Sequence, residues 1–274
     1  MRNTILAFTL ALFSMTLNTG CAALQQYMGS SEDEGITTQK VVSGLYDALT
    51  VGSKRAVGQT SKEGGFLNNP LIRIEMPSQL EPVMNAVRKI GLSNQVDNLV
   101  KQMNHAAELA SAEAIDILVD TIKGITFQDA WAILNGNDTA ATDYFRARTT
   151  EQLTARFSPI VDKKMHQLGV YDIYNVINNA YANLPFANAK GFDLEEYVVD
   201  QALQGLFKTV AQEEAKIREK VNFRTTPALK EVFGFLEEQR AKGKEAAPTA
   251  KSESGKSKGK TTSSGSRLPQ GTVQ

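Results

Sequence analysis

From Thr38 onward, apolar residues recur at intervals of three and four, the period of a helix that buries one face. Val41, Val42, Leu45, Ala48 and Leu49 share such a face and predict a first helix from near Thr38 to Val57. Ser78 with Glu81 reads as a capping box, followed by Leu80, Val83, Met84 and Val87 up to Gly91. Ser93 opens the next helix with Val96, Leu99, Val100, Met103 and Ala107 inward, and Ala112 to Lys123 adds Ile115, Leu118, Val119 and Ile122 before Gly124. Thr150 is read as the start of a helix carrying Leu153, Phe157, Ile160, Val161 and Leu168, closed by Gly169. Tyr171 to Tyr181 is another. Asp193 with Glu196 begins a long one with Tyr197, Leu203, Phe207, Val210 and Ile217 inward. Thr226-Pro227 begins the last, with Leu229, Val232, Phe233 and Leu236.

One stretch breaks the period. Gly64 to Pro70 is rich in turn formers, and Leu71 to Pro77 reads extended because prolines bracket it. Ile72 to Met76 alternates like a strand but is too short to build a sheet alone. The pattern therefore predicts an all-α fold, a single multi-helix bundle with one irregular, extended loop. Loops carry function more often than scaffolds do, so Asn68, Asn69 and Arg73 are candidate binding residues. The favoured reading is a plug, with Phe66 and Leu67 closing the core.

Thr126 to Arg148 is the most punctuated part of the helical region and holds the single tryptophan. Thr126 and Asp129 fit a capping box, and Phe127, Ala130, Trp131 and Leu134 fall on one face. Asn135-Gly136 reads as a left-handed stop and Asp138 as the next N-cap. Ala141, Tyr144, Phe145 and Arg148 form the following stripe. Asp129, Trp131, Asn135, Tyr144 and Arg146 at this corner are candidate binding residues. The plainer reading makes Trp131 core and the polar groups caps. In that case Trp131→Ala costs about 3–5 kcal/mol.

The ends differ from the body. Arg2 followed by the apolar run Ile5 to Leu17 has the length of a signal peptide, short of the roughly 20 residues of a membrane span. It leads to Thr19-Gly20-Cys21, and Cys21 is the only cysteine in the chain. This arrangement resembles a bacterial lipobox, in which the cysteine is acylated after cleavage, although Asn18 stands where an apolar residue is usual. The alternative is an ordinary secreted protein with Cys21 incidental. By the same resemblance, Ala22 after the cysteine implies sorting to the outer membrane. The expected division is a signal peptide over 1–20, a tether over 21–35, a helical domain over 36–239 and a disordered basic tail over 240–274.

Charge sharpens that division. The whole chain is neutral, yet Cys21 to Gln239 holds 21 Lys/Arg against 28 Asp/Glu, and Arg240 to Gln274 holds 8 against 2. An acidic body disfavours a nucleic-acid partner. The tail offers weak electrostatic contact with anionic envelope polymers or lipid head groups, and a solvated, dispensable tail is the favoured reading. Its Gly255 to Thr261 run imitates a phosphate loop with the wrong glycine spacing and no preceding strand.

Catalytic motifs are scarce. The G-x-S-x-G match at Gly255 to Gly259 lies in the tail without a strand–turn–helix context. His105 with Glu108, and Asp162 with His166, could each present two metal ligands on one helical face. Ion-paired or exposed histidines are the favoured reading, and no cofactor is expected.

The blocks FLNNPLIRIEMP, MNHAAELA, TFQDAWAILNGNDTAATDYFR, FDLEEYV and RTTPALKEVFG together resemble an uncharacterised bacterial envelope family, domain of unknown function 4197, over roughly Thr38 to Gly234. The resemblance implies a helical, exported protein, often a predicted lipoprotein of Gram-negative bacteria, and brings no catalytic residues, substrate or cofactor. Three functions follow in order. The first is a lipid-anchored, periplasm-facing protein that binds an envelope protein or supports an assembly. The second is a carrier of a lipid or apolar ligand between helices near Trp131, Tyr144 and Phe145. The third is a metal-dependent enzyme.

Overall fold

The structure is a computed structural model that describes residues 36–184 and 192–247. Cys21, the tether and most of the basic tail lie outside the described residues. Among those residues eight α-helices follow one another: α1 (Thr38–Thr60), α2 (Glu81–Lys89), α3 (Ser93–Lys123), α4 (Ala130–Asn135), α5 (Ala140–Gln167), α6 (Val170–Ala182), α7 (Leu194–Glu219) and α8 (Pro227–Ala241). Short 3-10 turns, Ser78–Leu80 and Val221–Phe223, precede α2 and α8. This is the expected all-α multi-helix bundle.

The predicted faces are the buried ones. Val41, Leu45, Ala48 and Leu49 of α1 and Leu99, Met103 and Ala107 of α3 are fully buried, as are Phe145 and Val161 of α5. On α7, Val198 and Ile217 are also fully buried. The four long helices α1, α3, α5 and α7 pack on one another, and α8 lies against α1. At about 25 cal/mol per Å² of apolar surface removed from water, this core is the main source of stability.

Helix starts are where the structure departs from the pattern. Asp193 and Thr226 cap as expected, accepting from the Glu196 N–H at 2.9 Å and the Leu229 N–H at 3.2 Å. The Ser78–Glu81 box does not form: Ser78 turns to Gln79, and Pro82 sits at the start of α2. Thr126 does not cap either, because Asp129 is itself the N-cap of α4 and accepts from Ala132 N–H at 3.2 Å. Thr150 starts no helix. It lies inside α5 and returns its hydroxyl to the Arg146 carbonyl at 2.7 Å. A capping residue within an otherwise helical run can satisfy itself this way, so its presence alone does not mark a boundary.

The irregular loop runs from Ser61 to Pro77 without forming a strand. Phe66 is fully buried and plugs the core as expected, whereas Leu67 is only half-buried. The alternation of Ile72 and Ile74 is real, since both are buried, but the pairing partner of Ile74 is a side chain. The Asn104 carboxamide accepts from Ile74 N–H and donates to Ile74 carbonyl, both at 2.8 Å, as a neighbouring strand would. One turn further along α3, Glu108 accepts from the N–H groups of Phe66 and Leu67, each at 3.1 Å. Buried backbone amides must find partners, and α3 supplies them.

Candidate functional site

The α4–α5 corner is held from outside. Glu214 on α7 is fully buried and caps the start of α5, accepting from Ala141 N–H at 3.0 Å and Thr142 N–H at 2.7 Å. The Thr142 hydroxyl adds a third bond at 2.6 Å. A carboxylate there also answers the positive end of the helix dipole. One turn on, Arg218 pairs with Glu214 at 2.8 Å and donates to the carbonyls of Leu134 at 2.9 Å and Ile133 at 3.1 Å, closing the end of α4. Both charged side chains are fully shielded from solvent. Asp138 is therefore not the cap of α5. Gly136 does not adopt a left-handed conformation (φ −65°); it is needed because a Cβ would come within 2.7 Å of the Ala140 Cβ.

The binding residues nominated at this corner face different surroundings. Trp131 is half-buried, donates its indole N–H to Thr38 Oγ1 at 2.9 Å and meets Phe235 edge-on. Asn135 joins the Ala246 backbone. Tyr144 stacks on Phe127, donates to the Thr126 carbonyl at 2.7 Å and lies under the Arg148 guanidinium. Arg146 points elsewhere, paired with Asp143 at 2.8 Å. Asp129 is occupied as a cap. The five do not form one site.

Two residues nominated far apart in sequence do meet. Arg73 of the loop and Arg146 of α5 line one open groove of about 640 Å³, whose other wall is α7. Lys208 reaches across it to the Leu71 carbonyl at 2.8 Å. Gln201, Gln204, Asp143 and Asp200 add polar groups, and Leu71, more than half exposed, supplies an apolar edge. Arg73 is steadied by Glu75 at 2.7 Å and by the Leu67 carbonyl at 3.3 Å. Asn69 accepts from Leu71 N–H through its side chain, and its carbonyl accepts from Ile72 and Arg73, shaping the loop. Asn68 is exposed beside Gly64, whose φ of +77° suits glycine.

The metal candidates form pairs and no more. His105 lies 3.3 Å from Glu108, whose carboxylate is already engaged by the loop, and His166 lies 3.4 Å from Asp162, which also accepts from Tyr171 at 2.7 Å. Among the described residues no group of three or more histidine, cysteine or acidic side chains is placed to hold a metal ion. Sequence reasoning missed Asn104, Glu214 and Arg218. Their signal was a polar residue on an apolar stripe, as Glu214 stands between Val210 and Ile217.

A family profile, protein of unknown function (DUF4197), matches residues 35–234. The chain belongs to that family. The match spans the bundle from the start of α1 into α8, including both walls of the groove. No curated protein and no solved structure matches the chain. Among the described residues no helix is long and apolar enough to cross a membrane.

Proposed function

We propose that this protein is a lipid-anchored, periplasm-facing component of the bacterial outer membrane that binds an extended segment of an envelope partner protein. The observation that carries the reading is the groove between the loop, α5 and α7. It draws cations from three elements, Arg73, Arg146 and Lys208, beside the exposed apolar edge of Leu71. Such a groove suits a peptide with carboxylates and an apolar side chain. It is open and mixes charged with apolar side chains, which favours a protein partner over a lipid, whose chain needs an enclosed apolar site.

A photo-crosslinking residue at Gln204, in the full chain in cells, tests the binding role. A discrete protein adduct that disappears in Arg146→Glu/Lys208→Glu is expected. An adduct indifferent to that charge reversal, or none, overturns it. A lipid co-purifying with the body would turn the assignment to the carrier. Anchoring is tested separately, by Cys21→Ser, which should abolish acylation and release the protein from membranes; persistent attachment would refute it.

A further inference from the structure

The extended part of the loop turns one side to solvent. Ile72 and Ile74 are buried, and the residues that alternate with them, Leu71, Arg73 and Glu75, are all exposed. Arg73 lines the groove described above, and it also lines a second cleft of about 550 Å³, whose other walls are α2 and α3. The two depressions therefore meet at one side chain. From Leu71, in the groove, to Met76, in the cleft, the segment reaches at most about 18 Å, which about six extended residues of a partner would cover.

The cleft differs from the groove in floor and in charge. Met84, Val96 and Val100 are buried beneath it and Met76 is half-buried at its side, an apolar lining in which methionine adapts to irregular partners. Its rim carries Arg73 and Arg88 against Glu75, Glu81 and Asp97, whereas the groove carries Arg73, Arg146 and Lys208 against Asp143 and Asp200. Most of these charges are matched internally. Arg73 pairs with Glu75 and Arg88 with Asp97, each at 2.7 Å, Arg146 pairs with Asp143 at 2.8 Å, and Asp200 accepts from the Gln204 amide at 2.6 Å. Two are not. Among the described residues Lys208 meets only the neutral Leu71 carbonyl, and the Glu81 carboxylate makes no ion pair. The surface thus offers a spare cation at its α7 end and a spare carboxylate at its α2 end, with the methionine floor on the α2 side.

We propose that the groove and the α2–α3 cleft form one docking surface, on which the partner's extended segment sets a carboxylate against Lys208, an apolar side chain on the Met76–Met84 floor and a cation against Glu81. The inference rests on the peptide-binding reading of the groove and adds the order of groups that the partner must carry. Opposite charges across an exposed rim fix register and partner choice more than affinity, and a segment laid in the opposite sense would bring like charges together at both ends.

The test uses the full chain in cells, with the photo-crosslinking residue p-benzoylphenylalanine at Gln204 in the groove or at Asn85 on the cleft rim. Both positions should capture the same protein, and mass spectrometry should map the two crosslinks to one segment, within about ten residues of each other. Glu81→Lys should lower the Asn85 adduct at least about threefold, the scale of one exposed charge contact. Changing the mapped partner cation to Glu should lower the adduct in the parent and restore it in Glu81→Lys, which separates a lost charge contact from a lost fold. Different proteins at the two positions, crosslinks on separate segments, an Asn85 adduct with a second copy of this chain, or indifference to Glu81→Lys would overturn the proposal. A Gln204 adduct with none at Asn85 removes this inference and leaves the groove reading standing, whereas the absence of both removes both.

Discussion

The Ser61–Pro77 loop and the α4–α5 corner solve one problem with different chemistry. Each interrupts the bundle and leaves backbone groups without helical partners. Each is repaired by two polar residues one turn apart on a neighbouring long helix: Asn104 and Glu108 of α3 for the loop, Glu214 and Arg218 of α7 for the corner. The loop is served by a neutral amide and a carboxylate whose partner, His105, is partly exposed. The corner is served by an ion pair with no solvent contact. Charge buried so completely must remain paired, whereas an amide leaves only unmet hydrogen bonds when removed.

The largest expected effect breaks the corner. Arg218→Met leaves the Glu214 carboxylate buried without its partner and uncovers the carbonyls of Ile133 and Leu134. A loss of about 3–5 kcal/mol in urea-induced unfolding is expected. Glu214→Gln/Arg218→Met should recover part of it, because the unpaired charge is gone. A double variant as unstable as the sum of the singles would show that the pair is not coupled.

The loop should respond more mildly and in a way that separates shape from charge. Asn104→Leu strands both Ile74 backbone groups and should cost about 2–4 kcal/mol, at roughly 1–3 per buried unmet group. Glu108→Gln keeps an oxygen for the Phe66 and Leu67 N–H groups and should cost under about 1 kcal/mol, while Glu108→Ala should cost about 2. If Glu108→Gln were as damaging as Glu108→Ala, the carboxylate would have a role beyond holding the loop, and the metal alternative would return.

These four residues also mark how far the sequence could be read. Helical period located the core faces, and Phe66 was recognisable as a plug because it interrupts a polar, glycine-rich stretch. Caps were less legible: Ser78 and Thr150 carry the right side chains but bond elsewhere, and at Thr126 the cap is Asp129 instead. The corner was hardest: its true caps lie about 70 residues downstream, and no local pattern links Thr142 to Glu214. The groove was half visible, because Arg73 and Arg146 could be nominated singly but only tertiary packing sets them opposite Lys208.

Trp131 sharpens the comparison from the corner's outer side. The ring is half-buried, so Trp131→Ala should cost about 2 kcal/mol, below the 3–5 of a fully buried aromatic. Trp131→Phe keeps the contact with Phe235 but loses the bond to Thr38 and should cost about 1 kcal/mol. These variants lose the single tryptophan and its fluorescence, so circular dichroism is the appropriate readout. A loss above 4 kcal/mol would place the indole in the core proper.

The smallest effects concern carboxylates outside both regions, and they should have opposite signs. Glu113 accepts a 2.5 Å bond from Lys164, which is the main cause holding its pKa below the ordinary carboxylate value. Its stabilising contribution is present above the unfolded-state pKa and is lost as pH falls through the lower folded-state value. Glu195 is pushed upward, first by burial and then by the negative charges of Asp162 and Asp193. Its contribution is present at pH below the unfolded value and is lost as pH rises through the raised one. Thermal melts at neutral pH should therefore show Glu113→Gln slightly less stable than the parent and Glu195→Gln slightly more stable. At pH well below the lowered folded-state value of Glu113, where both carboxylates are protonated in folded and unfolded states alike, each difference should vanish. A Glu195→Gln variant that is destabilised at neutral pH would mean that its hydrogen bond with Tyr171 and the nearby His166 outweigh burial and the like charges beside it.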